Sequence, residues 1–166
     1  MTHIRTGLGF DTHRFAKGRP LVLGGVTIPC EAGLLGHSDA DVLAHALADA
    51  VLGAIAAGDI GMHFPNTDPK WKGADSLKLL AAVAALARRK GWQVVNADLA
   101  VVAEKPKLSP HVPAMRRNLA RSMGVRVADV SVKATTAERM GALGRKEGIA
   151  AMAVVLVRRN ARRRGK

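Results

Sequence analysis

Apolar and polar positions change period several times along the chain, and these changes divide it into strands and helices. HIRTGLGF (3–10) and PLVLGGVTI (20–28) read as strands joined by a polar loop. SDADVLAHALADAVLGAIAAG (38–58) reads as a helix, with Ser38 as N-cap, Asp41 three residues on in the manner of a capping box, and Gly58 at its end. SLKLLAAVAALARRKG (76–91) is a second helix, with basic residues near its C-terminus and a closing glycine. WQVVNADLAVVAE (92–104) follows as a long strand. SPHVPAMRRNLARSMG (109–124) predicts a third helix with Ser109 as N-cap, Pro110 at the first helical position and Gly124 beyond its end. VSVKATT (130–136) and IAAMAVVLVRR (149–159) are the last strands.

The order β-β-α-α-β-α-β-β predicts an α/β (α+β) fold, a two-layer sandwich of a mixed β-sheet and helices. It lacks the strict βαβ alternation of a doubly wound sheet. With 166 residues, no internal repeat and no linker, the chain reads as a single domain over 1–157 followed by a basic tail, 158–166. Two connections stand out. DIGMHFPNTDPKWKGAD (59–75) is a long loop rich in Pro, Gly and Asp, of the kind that is usually functional or mobile. ERMGALGRKEG (138–148) is a loop punctuated by glycines.

Composition narrows the classes. Hydrophobic residues make up 48% and mean hydropathy is +0.07, as in globular chains. Aromatics are only 3%, so the core is built from Ala, Val, Leu and Ile, and such a core favours an oligomer that hides leftover apolar surface. Cys30 is the only cysteine, which excludes an intrachain disulfide and zinc sites made of several cysteines. No signal peptide is read at the start, and the apolar helices are too short to span a bilayer, so a cytoplasmic protein with no membrane partner is expected. The net charge is +13, and RRNARRRGK at the C-terminus holds six of the 26 basic residues. Such a run binds nucleic acid or is simply a solvated tail. Outside it the chain is still basic, which favours a polyanionic small molecule.

The candidate chemistry begins in LGFDTHRF (8–15). Side chains two apart on a strand point the same way, so Asp11 and His13 project together. On the first helix, Asp41, His45 and Asp49 are spaced by four and share a stripe across an otherwise apolar surface. Asp11, His13 and His45 make up an open three-ligand zinc set, with Asp49 able to orient the His45 imidazole; scattered structural roles are the alternative. In GLLGHSDAD (33–41), His37 and Ser38 stand at a helix N-terminus that favours an anion, although a simple cap also explains Ser38. VKATTAER (132–139) puts Thr135, Thr136 and Glu138 at a strand end beside Arg139, Arg145 and Lys146, which suits a phosphate–divalent metal complex. AEKPKLSPH (103–111) is an ordinary strand-to-helix connection or a backbone surface for a nucleobase edge.

GFDTHRF, LGGVTIP, GLLGHSDADVLAHALADAVLGA, GDIGMHFPNTDPKWKGADS, KPKLSPH and VKATTAERMGALGRKEGIA together resemble the 2-C-methyl-D-erythritol 2,4-cyclodiphosphate synthase family, from about residue 5 to 157. The resemblance implies conversion of 4-diphosphocytidyl-2-C-methyl-D-erythritol 2-phosphate to the cyclic diphosphate with release of CMP, in the non-mevalonate isoprenoid pathway. It implies zinc on Asp11, His13 and His45, and a second divalent ion, magnesium or manganese, on Glu138. His37 and Thr136 would steady the transition state. Asp11, His13, His37, Ser38, Asp59, Ile60, Gly61, Phe64, Pro65, Asn66, Thr67 and Asp68 would contact the methylerythritol phosphate part. Ala103, Glu104, Lys105, Pro106, Lys107, Leu108 and Ser109, with Thr135, Thr136, Ala137 and Glu138 of a neighbouring subunit, would form the cytidine pocket, since family members are homotrimers with active sites at the interfaces. Ala142 and Arg145 match family positions near it.

Two positions depart from the pattern. Asn66 stands where many relatives carry Asp, which affects substrate fit modestly, and Ala142 stands where some carry Phe, so that ring's packing is absent. A nucleic-acid-binding protein is the competing class. It gives no reason for Asp11, His13 and His45, and few aromatics are present for stacking. A zinc hydrolase is a third reading, separated from the cyclase by whether a linear or a cyclic product accompanies CMP.

Overall fold

The computed structural model describes residues 3–159. Among the described residues, seven strands and five α-helices run in the order β1 (Ile4–Lys17), β2 (Leu21–Leu23), β3 (Val26–Ile28), β4 (Ala32–Leu34), α1 (Val42–Ala54), α2 (Ile60–His63), α3 (Ser76–Arg89), β5 (Trp92–Val102), α4 (Val112–Met123), β6 (Val130–Thr135), α5 (Gly141–Gly144) and β7 (Gly148–Arg159). Five strands form one mixed sheet in the order β4-β1-β7-β5-β6, in which only β5 and β6 are parallel. Helices α1, α3 and α4 cover one face: α1 packs on β1, β7 and β5, α3 lies between α1 and α4, and α4 reaches β6. The expected two-layer α/β arrangement with a mixed sheet is therefore present. No described helix is long and apolar enough to cross a membrane.

Differences from the expected elements have local causes. The first strand does not stop at Phe10 but continues to Lys17, because its ladder with β7 runs through Arg14↔Gly148 and β4 then takes over at Phe15↔Leu34. The segment 20–28 is two short strands, not one. Gly24 and Gly25, with φ of 55° and 67°, turn the chain in a two-residue hairpin that needs positive φ at both positions. The first helix begins at Val42 with Asp41, not Ser38, as its N-cap, and ends at Ala54, before Gly58. The third begins at Val112. His111 donates its N–H to the Leu108 carbonyl at 2.9 Å, so Ser109 and Pro110 belong to the preceding turn and Pro113 lies in the first helical turn. The loops 59–75 and 138–148 carry the short helices α2 and α5. β7 also includes Arg158 and Arg159, the first two residues of the basic run; 160–166 lie outside the described residues.

The packing of α1 on β1 sets the position of everything that follows. On β1 the helix-facing positions are Gly7 and Gly9. A Cβ on Gly7 would fall on the Ala50 carbonyl, and one on Gly9 on the Ala46 carbonyl. The missing side chains and the alanines of α1 let the two backbones touch. By the same alternation, Asp11 and His13 continue the helix-facing row just beyond, next to the first turn of α1. On the opposite sheet face, Ile4, Leu8 and Phe10 are 63%, 70% and 57% exposed, and Met152 and Val154 of β7 pair beside Phe10 and Leu8. Together they form an open apolar stripe on this face of the sheet.

Candidate active site

At the junction of β1 and α1, one oxygen of Asp11, Oδ2, lies 3.1 Å from His13 Nε2 and 2.9 Å from His45 Nδ1. The three side chains offer one ligand atom each, all within 4.8 Å of one another. Each imidazole has its other nitrogen occupied: His13 Nδ1 meets the Leu35 carbonyl at 2.6 Å, and His45 Nε2 meets the hydroxyls of Ser76 at 2.8 Å and Ser38 at 3.1 Å. Two nitrogens and a carboxylate oxygen converge, with the far side of each ring already hydrogen-bonded. This donor set fits a divalent ion and leaves coordination positions open to a ligand. Burial works to raise the Asp11 carboxyl, but the two imidazoles outweigh it and hold its pKa well below the usual carboxylate range. The hydrogen bond that His13 donates to Asp11, in turn, raises the pKa of His13.

The expected stripe on α1 divides. His45 belongs to the ligand set. Asp41 is fully buried, and its carboxylate accepts from the N–H groups of Leu43 and Ala44 at 3.1 Å each, and of Gly24 at 2.9 Å and Gly25 at 2.7 Å. It thus closes the helix N-terminus that was expected to hold an anion, and ties it to the β2–β3 turn. Asp49 does not orient His45: its Oδ1 accepts from Ile60 N–H at 2.7 Å, and burial pushes its carboxyl up.

The ligand set opens into a pocket of about 230 Å³ lined by Asp11, His13, Gly36, His37, Ser38, His45, Ile60, Gly61, Phe64, Asn66, Trp71 and Leu79. His37 Nε2 is buried there with no hydrogen-bond partner among the described residues. Asp59 caps α2 by accepting from Met62 N–H at 2.9 Å, and Asp68 caps the 3₁₀ turn Pro69–Trp71; Pro65 and Thr67 lie in the bend between them. Gly36, Trp71 and Leu79 were not anticipated. Trp71, one of two tryptophans in the chain, stands edge-on to Phe64 with ring centroids 4.9 Å apart, and its rarity was the available signal. Leu79 looks in sequence like any other apolar position of α3.

A second pocket, of about 560 Å³, is lined by Ala103, Glu104, Lys105, Pro106, Lys107, Leu108, Ser109, Ala134, Thr135 and Thr136. No residue lines both, so within one chain Thr136 and His37 face different pockets, and Glu138 stands apart from the Asp–His–His set. Glu138 and Arg139 both have positive φ. The Glu104 carboxylate holds this turn by accepting from Ala137 N–H at 3.0 Å and Arg139 N–H at 3.1 Å, while Thr136 Oγ1 donates to Glu138 Oε1 at 2.6 Å. Ala142 lies on α5, and Arg145, just after it, bonds Glu147 at 2.6 Å.

A two-layer α/β domain thus places an Asp–His–His set suited to a divalent metal at the mouth of a pocket. The chain belongs to the YgbB family, whose model matches residues 4–158. It is 60% identical over 156 residues to 2-C-methyl-D-erythritol 2,4-cyclodiphosphate synthase of Geobacillus kaustophilus, covering 94% of this chain and 99% of that one. Among solved structures it is similar to the bifunctional IspDF from Campylobacter jejuni, with a TM-score of 0.92 and 45% identity over 96% of this chain. It spans only 43% of that longer protein. It is also similar to the Plasmodium falciparum IspF CDP complex, with a TM-score of 0.84 and 30% identity over 97% of this chain and 99% of that one.

Proposed function

We propose that the chain is a cyclase that converts 4-diphosphocytidyl-2-C-methyl-D-erythritol 2-phosphate to 2-C-methyl-D-erythritol 2,4-cyclodiphosphate and CMP. The observation that carries the reading is the Asp11–His13–His45 set opening into a pocket, in a chain so similar along its length to synthases of that name. An oxygen of the 2-phosphate forms a bond to the β-phosphorus. The bond from that phosphorus to the bridging oxygen breaks, and its electron pair leaves with CMP. The nucleophile is already an anion, so no strong base is needed, and the protein's task is positioning and charge neutralisation.

Asp11, His13 and His45 would hold the proposed zinc, which would supply positive charge to the phosphate oxygens. Magnesium or manganese at Glu138 is the proposed second ion. The buried, unpartnered Nε2 of His37 is free to meet a phosphate oxygen, and Ser38, Asn66 and the first turn of α2 line the same pocket. The 103–109 pocket is the proposed cytidine site; that the similar Plasmodium protein forms a CDP complex supports a cytidine nucleotide as ligand. It would meet the metal pocket across a subunit boundary of a homotrimer, a reading supported by the separation of the two pockets within one chain and by the exposed Ile4–Leu8–Phe10 stripe.

Phosphorus NMR of the purified chain with the diphosphocytidyl substrate, zinc and magnesium tests this. CMP appearing with two coupled cyclic-diphosphate resonances is expected. CMP with a linear phosphate would make the protein a hydrolase, and no CMP would overturn the substrate assignment. Glu138→Gln should raise the magnesium or manganese concentration needed for turnover without lowering zinc content, and an unchanged titration would remove Glu138 from the second site.

A further inference from the structure

His45 reaches the ligand set through Nδ1, which requires that Nε2 carry the proton. What fixes that tautomer lies behind the ring, in residues with no part in the ligand set or the substrate contacts. Ser76, the first residue of α3, is 1% exposed, and its Oγ lies 2.8 Å from His45 Nε2. The same hydroxyl donates to Asp39 Oδ1, and Ser76 N–H donates to Asp39 Oδ2 at 3.1 Å. In this contact the single Ser76 hydroxyl proton goes to Asp39. The Ser76 oxygen then has only lone pairs to turn toward His45, and Nε2 must donate. Asp39 is itself anchored, with its N–H on the Ala74 carbonyl at 3.1 Å and Asp41 N–H on its Oδ1 at 3.3 Å.

We propose that Asp39, acting through the Ser76 hydroxyl, is the positioning device that holds His45 as an Nδ1 metal ligand. The chain of acceptors pulls the Nε2 proton outward, leaves the Nδ1 lone pair aimed at the metal position, and makes the ring a stronger donor. Asp39 bonds His45 nowhere directly, so its influence passes through one oxygen atom. Ser38, 3.1 Å from Nε2 and holding Ala40 N–H at 3.1 Å, is the longer of the ring's two contacts. The arrangement also makes the start of α3 part of the metal site, although α3 supplies no ligand.

The inference rests on the three residues binding metal, and its test reads metal rather than turnover. Zinc affinity is measured for the full chain by competition with a chromogenic chelator. Ser76→Ala should weaken zinc binding about tenfold or more, in the range usual for partners of metal-bound histidines. Asp39→Asn should weaken it as well. The double variant should bind zinc no more weakly than Ser76→Ala, because the Ser76 hydroxyl is the carboxylate's side-chain hydrogen-bonded route to the ring. Excess zinc should restore turnover in both single variants, which a distorted pocket would not allow. Should Ser76→Ala fail to fold, Asp39→Asn carries the affinity comparison alone. Affinities within twofold of wild type, or losses that add in the double variant, would overturn the relay. A wild-type chain that binds no zinc would instead overturn the metal reading itself, and one that binds zinc but makes no CMP would fault only the substrate assignment.

Discussion

Asp11 and Asp41 approach the same end of α1, yet their surroundings give them opposite work. Asp11 is partly open and faced by two imidazoles, which keep it ionised and directed at a ligand position. Asp41 is sealed among four backbone N–H groups and touches no ligand; burial pushes its pKa up to about 6 despite those donors. One carboxylate is shaped for chemistry and the other for joining a helix to a hairpin. The lesson is that residue type and spacing identify a carboxylate near a site, while its hydrogen-bond partners decide what it does.

The sharpest break in the comparison is Asp11→Asn. An amide brings no charge to a metal and presents only one acceptor oxygen, so bound zinc and turnover should both fall below detection. The metal-free protein should also melt somewhat lower, because the amide loses the charged contacts of Asp11 with both imidazoles, although no helix cap is removed. Metal analysis with thermal melting checks both halves, and retained zinc would place the metal elsewhere.

Asp41→Ala should do the reverse. It removes the acceptor for two N–H groups of α1 and two of the β2–β3 turn, in a fully buried place. The expected cost is about 3 kcal/mol, from a lost cap and stranded buried donors. For a chain of this size that lowers the melting temperature by about 6–12 °C. Zinc ligands are untouched, so the folded fraction should still bind the metal. A shift of under about 2 °C would show that the four bonds hold little, since for this size each kcal/mol is worth about 2–4 °C.

Gly9→Ala probes the contact that brings the two regions together. Its Cβ would press on the Ala46 carbonyl and Ala50 N, and α1 must move away from β1. Overpacking of this kind costs about 1–3 kcal/mol. Because His45 rides on α1 and Asp11 on β1, zinc affinity should fall together with stability. Unchanged affinity would mean that the ligands adjust independently of the backbone.

Much of this was legible beforehand. Strand parity placed Asp11 and His13 together, and the helical run brought His45 within reach, since a three-ligand set asks only for one face of each element. The cap was not legible. HSDAD contains three good capping residues, Ser38, Asp39 and Asp41, and choosing among them depends on Ala40, whose φ of 58° turns the chain so that Asp41 alone meets the helix. The glycine pair at 24–25 was a hairpin signal, but its apolar flanks hid it inside one longer strand. The roles of Ser76 and Asp39 were out of reach, because a contact 37 residues apart along the chain leaves no local pattern.

The finest test of the comparison is its pH dependence. Asp41 has an ordinary value of 3.8 and a folded value of about 6, so the folded chain holds this proton more tightly than the unfolded one. The stability so gained is fully present below pH 3.8 and is lost as pH rises through about 6. Asp11 has the opposite sign in the metal-free chain: its lowered value contributes stability that persists above 3.8 and is lost only in stronger acid. Between pH 4 and 7, therefore, Asp41 changes its contribution while Asp11 holds steady. Asp41→Asn keeps an acceptor but cannot titrate. The stability difference between wild type and Asp41→Asn, from urea melts of metal-free protein, should shift against wild type by roughly 1–3 kcal/mol across that interval. A flat difference would show that the four N–H donors offset the burial of the charge, leaving Asp41 as firmly ionised as Asp11.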